Sequence, residues 1–173
     1  MPDFDFTSIE KRFVIGSDHK SGTNQTETAV VDVNSDIIQA GMPVLATGKS
    51  SPMGDILVKA PSSAGNGGCS VRGFALRKVD IKAYENPDYF PGEMIPIRRF
   101  GEIVVKLDNA WPDPKIGDLV FLKCDKLVKD GNGGEGVVQV GRVKDTDPRD
   151  KNIVLLDINI GPEYDKDGKL KFA

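Results

Sequence analysis

From Ala29 onward, apolar and polar residues alternate in short runs that turn-forming residues interrupt about every ten positions, the spacing of a β-sandwich or barrel. The runs predict strands over 29–33, 43–46, 55–60, 70–77, 93–99, 102–107, 118–123, 137–143 and 152–160. Alternation is clearest in the last of them. There Val154, Leu156, Ile158 and Ile160 fall on one face and Asp157 and Asn159 on the other, because successive strand side chains point to opposite sides. Glycine- and asparagine-rich stretches at 48–52, 65–68 and 130–134 tolerate positive φ and read as loops or hairpin tips. Helical periodicity is confined to 78–85, ahead of Pro87, which leaves room for one short helix at most. Three similar turns, Ala40-Gly41-Met42, Pro91-Gly92-Glu93 and Ile116-Gly117-Asp118, each precede a predicted strand. Ordinary strand entry through a glycine turn explains them without an internal duplication, since their period is irregular.

The predicted fold class is therefore all-β, a compact antiparallel barrel or sandwich with an extended N-terminal arm. Residues 1–28 form the expected arm and residues 29–173 the single β domain. Phe4, Phe6 and Phe13 stand ahead of the strand series, and the polar stretch 16–28 separates them from it. The barrel is expected to close without them, and removal of residues 1–28 to leave the melting temperature nearly unchanged. The competing account is that these phenylalanines complete the protein's own core as a first strand. At the other end, 164–172 reads as a last hairpin or a frayed terminus.

Composition narrows the function. The chain has 173 residues, a single-domain length that supports a real hydrophobic core. With 23 Lys+Arg against 26 Asp+Glu its formal charge is −3, and no basic run is present, so nucleic acid is not an expected partner. No apolar run approaches the roughly 18 residues of a membrane-spanning helix, and the N-terminus lacks the features of a secretory signal, so synthesis in the cytoplasm is expected.

Catalytic and metal-binding motifs fail one by one. Gly48-Lys49-Ser50 ends like a phosphate loop, but Pro43 stands where its first glycine belongs and Pro52 opposes the helix that must follow. Asp165-Lys166-Asp167-Gly168 resembles part of a calcium loop without its closing glutamate. His19 is the sole histidine and lies in a polar turn-rich stretch beside Ser17, Asp18 and Ser21, too close in sequence for a strand-borne triad. Cys69 and Cys124 form no C-x-x-C pair and read as inert. No cofactor, metal or catalytic residue is expected. A carboxylate-type hydrolase stays open at this stage, since 26 acidic residues always allow some pair.

Trp111, in Asn109-Ala110-Trp111-Pro112-Asp113-Pro114, is the only tryptophan. With Tyr84, Tyr89 and Phe90 it could build a small aromatic platform, and a carbohydrate- or receptor-binding module of a phage or bacterial surface structure is the alternative reading.

The order of elements from Gln39 to Ile160 resembles a known family, the capsid cement or decoration proteins of tailed double-stranded-DNA bacteriophages. The likeness rests on Ala40-Gly41-Met42-Pro43-Val44, Val71-Arg72-Gly73-Phe74-Ala75-Leu76, Tyr89-Phe90-Pro91-Gly92-Glu93, Phe100-Gly101-Glu102-Ile103-Val104-Val105, Ile116-Gly117-Asp118-Leu119-Val120-Phe121 and Val140-Gly141-Arg142-Val143. The resemblance implies a noncatalytic β protein on the capsid exterior. It would clamp adjacent copies of the major capsid protein, as a homo-oligomer, trimer or dimer. Phe4, Phe6, Phe13 and Trp111 are the candidate partner contacts.

Overall fold

The computed structural model describes residues 13–17, 23–64, 70–79, 87–108, 111, 113–123, 125–129, 137–160, 163–164 and 170–171. The strands are β1 (Gln25–Val31), β2 (Pro43–Ser50), β3 (Ile56–Lys59), β4 (Val71–Ala75), β5 (Met94–Lys106), β6 (Leu119–Lys123), β7 (Lys126–Val128), β8 (Val137–Thr146), β9 (Ile153–Ile158), β10 (Glu163–Tyr164) and β11 (Leu170–Lys171). The only helical element among the described residues is a 3-10 turn at Pro61–Ala64. The expected helix at 78–85 lies almost wholly outside the described residues.

Strands β1 to β9 pair in the order β1-β3-β2-β4-β5-β9-β8-β6-β7, and β1 also pairs with β5. That extra pairing closes β1, β3, β2, β4 and β5 into a barrel. All its pairings are antiparallel except β1–β3, which runs parallel with Val30 opposite Leu57, a departure from the expected all-antiparallel order. Alternate residues Ala29, Val31, Val58, Ile95 and Ile97 point inward and are fully buried. Strands β9, β8, β6 and β7 extend a second sheet from β5, and its inner face packs on the barrel wall through Phe74, Leu45, Ile103, Val105 and Leu156, while β10 and β11 pair only with each other.

Strand β5 joins the two halves. The sequence predicts two strands, 93–99 and 102–107, but the chain runs through as one strand of 13 residues. Its first part pairs with β1 and β4, and its second, from Gly101 to Lys106, pairs with β9. The change of partners falls at Gly101, whose φ is 101°, a conformation nearly reserved for glycine.

The three glycine turns share one geometry. Met42 N–H donates to the Gln39 carbonyl, Glu93 N–H to Phe90 and Asp118 N–H to Lys115. Gly41, Gly92 and Gly117 occupy the third position at φ 77°, 86° and 94°, the type II turn that requires positive φ there. Each delivers the chain to the next strand: β2, β5 and β6.

Candidate functional site

Of the four candidate contact residues, Phe4 and Phe6 lie outside the described residues. Phe13 and Trp111 are packed inside the chain's own cores. Trp111 is 6% exposed within the cluster between barrel and second sheet. Phe13 is 9% exposed against Val104, Leu155 and Ile153 on the opposite face of the second sheet. For Phe13 the competing account is the better one, because it completes the protein's own packing. His19, Cys69 and Cys124 lie outside the described residues. Strand β1 begins at Gln25, inside the segment assigned to the arm, and its start pairs with Phe100 of β5. Cutting at residue 28 would therefore remove part of the barrel wall.

Residues 13–17 form a strap across the second sheet. In its second half β5 pairs with β9 on one side only, and the strap occupies the other edge: Gly16 N–H donates to Val104 O at 2.8 Å and Arg77 N–H donates to Gly16 O at 2.9 Å. The fit is close, since a Cβ on Gly16 would lie 2.7 Å from the Ala40 Cβ. At the strap's start, Phe13 N–H donates to Asp147 Oδ2 at 3.3 Å, and Asp147 Oδ1 accepts the Arg149 N–H at 2.8 Å. Twelve residues, Phe4 and Phe6 among them, precede this anchor. The strap thus ties residue 13 to the second sheet.

The Arg149 N–H holds the Asp147 carboxyl below the usual carboxylate range; burial opposes this, and the Phe13 N–H and the Arg149 side chain add to the lowering. A carboxylate with a depressed folded pKa stabilises the fold above its unfolded pKa of about 3.9, and that contribution disappears as pH falls through the lower folded value. Asp147→Ala is expected to cost about 1–3 kcal/mol near neutral pH, because it removes the carboxylate that accepts both N–H groups. In melts recorded from neutral pH downward, the gap between wild type and variant should narrow below about pH 4. A gap independent of pH would show that the carboxylate charge plays no part.

Two other carboxylates, half-buried Glu27 and buried Glu102, serve the fold. Glu27 accepts the Arg72 guanidinium through both oxygens, with Nη2 to Oε2 at 2.9 Å, while Arg99 Nη1 approaches the same Oε2 at 3.4 Å. Glu102, 2% exposed, is paired with Lys144, and its N–H donates to Asn24 Oδ1 at 3.0 Å. The Lys144 ammonium is held above its usual pKa chiefly by its hydrogen bond to Glu102. Among the described residues no group of three His, Cys, Asp or Glu is placed to hold a metal ion. Among the described residues no helix is long and apolar enough to cross a membrane.

Two of the four residues of the aromatic platform, Trp111 and Tyr89, are buried. Besides Trp111, Tyr89 is 1% exposed, with its hydroxyl donating to Leu76 O at 2.9 Å and the Lys78 ammonium 4.9 Å from its ring centre. Tyr84 lies outside the described residues. Exposed apolar side chains occur instead at turns, at the start of β5 and beside its bend, with Met53 92%, Val33 77%, Met94 64% and Phe100 48% exposed. A cleft of about 330 Å³ lies where the strap, the Gln39–Gly41 turn, the end of β5 and the free edge of β7 meet, and its walls mix Leu107 and Leu127 with Lys106, Asp108, Asp125 and Lys126.

The model of one protein family, the structural cement proteins (E217 gp24/Pam3 gp6), matches residues 11–159. That span runs from just before the strap to the end of the second sheet. The chain belongs to the phage structural cement protein family. A chain in the capsid of Myoviridae phage XM1 is similar in fold, with a TM-score of 0.60 and 18% sequence identity over 85% of this chain and 90% of that one. The head fiber gp8.5 N base of bacteriophage phi29 is more distant, at a TM-score of 0.46 and 16% identity over 79% of this chain and 95% of that one. No curated protein matches the sequence. The cement protein is thus a structural component of a phage capsid, built as a β-barrel with a second sheet wrapped on its wall.

Proposed function

We propose that this cement protein binds the outer surface of an assembled capsid and bridges neighbouring copies of the major capsid protein, without catalysis, metal or cofactor. It acts as a homo-oligomer, trimer or dimer, and joins the shell after synthesis in the host cytoplasm. The match to the structural cement family over residues 11–159 carries this reading. Burial of Trp111 and Tyr89 weighs against the carbohydrate-binding alternative, because stacking on a sugar needs an open ring face.

The mechanism is mass action. A protein that binds the closed shell better than separated subunits stabilises the shell, as a ligand stabilises a native state. Small free energies add up over many repeated sites. Within the chain, the arm proper is residues 1–12, and Phe4 and Phe6 are its contact residues. The anchored strap sets where they leave the β domain. Each phenylalanine contributes up to roughly 1.5–3 kcal/mol by apolar burial on the capsid, less the cost of ordering the segment.

Co-sedimentation tests this. The full chain is expected to pellet with assembled capsids that lack it and to stay in solution with unassembled capsid subunits. Deleting residues 1–12 should weaken attachment while leaving the melting temperature within a few degrees of wild type. Equal affinity for free subunits and shells would reject the bridging role.

A further inference from the structure

Large apolar side chains scattered singly on a surface are ordinary. Met53 differs in the way its loop is built. It stands at the tip of the β2–β3 hairpin, 92% exposed, between exposed Pro52 and Gly54. Beneath it, Ser51 Oγ donates to Asp55 Oδ2 at 3.0 Å and accepts the N–H groups of Asp55 at 3.0 Å and Met53 at 3.2 Å. Two backbone bonds close the same turn, Ser51 N–H to Asp55 O at 2.7 Å and Gly54 N–H to Ser51 O at 2.9 Å. The stalk is braced as well, because Thr47 Oγ1 donates to Leu57 O at 3.0 Å and accepts the Lys49 N–H at 3.2 Å.

The loop therefore holds an apolar side chain in water by its own hydrogen bonds. None of these bonds involves a contact to the rest of the barrel beyond β3. The tip residues themselves, Pro52, Met53 and Gly54, carry no charge, and the loop's one carboxylate, Asp55, is held at its base by the Ser51 hydroxyl. A segment already fixed in shape loses little conformational freedom on docking, the cost that otherwise opposes association. Methionine, unbranched and polarizable, fills irregular apolar pockets well. The strand register places a second apolar side chain at the same end of the barrel. β3 runs parallel to β1, so the tip that precedes β3 lies toward the start of β1, where Gln25 pairs with the half-exposed Phe100.

We propose that the β2–β3 tip is a preformed plug, in which Met53 enters an uncharged apolar pocket on a capsid subunit. The proposal rests on the capsid-binding reading above and adds the site and the chemistry of its receptor. It is separate from the strap at residues 13–17, which lies against the second sheet.

Full-length wild type, Met53→Asp and Met53→Leu, each checked for an unchanged melting temperature, should be titrated onto purified capsids that lack the protein. Met53→Asp is expected to weaken attachment by about tenfold or more, as loss of a central anchor does, and Met53→Leu by no more than about twofold. Light scattering should give one oligomeric state for all three. Equal attachment of wild type and Met53→Asp would overturn the plug and leave the cement role standing. Loss of attachment together with a change of oligomeric state in Met53→Asp would also overturn it, because the tip would then join copies of this chain. If wild type itself fails to attach, the capsid-binding reading falls and the plug with it.

Discussion

Trp111→Ala is expected to destabilise the protein by about 3–5 kcal/mol, the cost of emptying a large aromatic site in a packed core. For a chain of this size that lowers the melting temperature by roughly 6–20 °C. The indole sits in the cluster that joins the barrel wall to the second sheet, with Leu107, Leu122, Leu127 and Val140 among its members. Its ring N–H is buried without a hydrogen-bond partner among the described residues, and the ring is held there by packing. Trp111→Phe should accordingly keep most of the stability. Below its melting temperature the alanine variant should still attach to capsids, since the side chain faces inward. Wild-type stability together with lost attachment would mean that Trp111 is a contact residue after all.

Gly101→Val should be comparably damaging for a different reason. At φ 101° a side chain strains the backbone, and a Cβ there would overlap Asn24 Oδ1 and lie 2.9 Å from the Thr23 carbonyl oxygen. Asn24 cannot simply step aside, because its Oδ1 accepts the Glu102 N–H at 3.0 Å. Backbone strain of about 1–3 kcal/mol and overpacking of similar size give a loss of roughly 2–6 kcal/mol. Because Gly101 is where β5 leaves the barrel and enters the second sheet, urea unfolding of the variant should lose its single cooperative transition. An unchanged midpoint, or one transition of wild-type slope, would show that the pivot tolerates a side chain.

The glycine turns and most strand positions were legible in the sequence, because both are local. A type II turn needs positive φ at one position, and glycine marks it at 41, 92 and 117. Strand β7 was not legible, since three residues flanked by polar ones display no period. The 99–102 break misled for a related reason: glycine inside an apolar pattern signals either a turn or a bend, and only the pairing partners of β5 decide between them. The burial of Trp111 was not legible, because proline and asparagine around it give it a loop setting, while its packing depends on strands distant in sequence.

Phe13 was more legible than the sequence reading allowed. Ile103, Val104 and Val105 are all fully buried, as are Val154 and Leu156 on the neighbouring strand. Uninterrupted apolar runs of this kind mark strands covered on both faces. Something outside the predicted barrel therefore had to cover the second face, and Phe13 is the large apolar residue that does. The Asp147 anchor gave no such signal, because one aspartate in a Thr-Asp-Pro turn looks like any other until the strap is seen to lie against it.

The central claim, that the chain stabilises a closed capsid by bridging its subunits, is tested most directly by heating. DNA-filled particles of its own phage, stripped of the protein, should be heated with increasing amounts of the purified chain while a dye reports DNA release. The account predicts that the release temperature rises and saturates once the surface sites are filled. Full occupancy of those sites with no change in release temperature would contradict it.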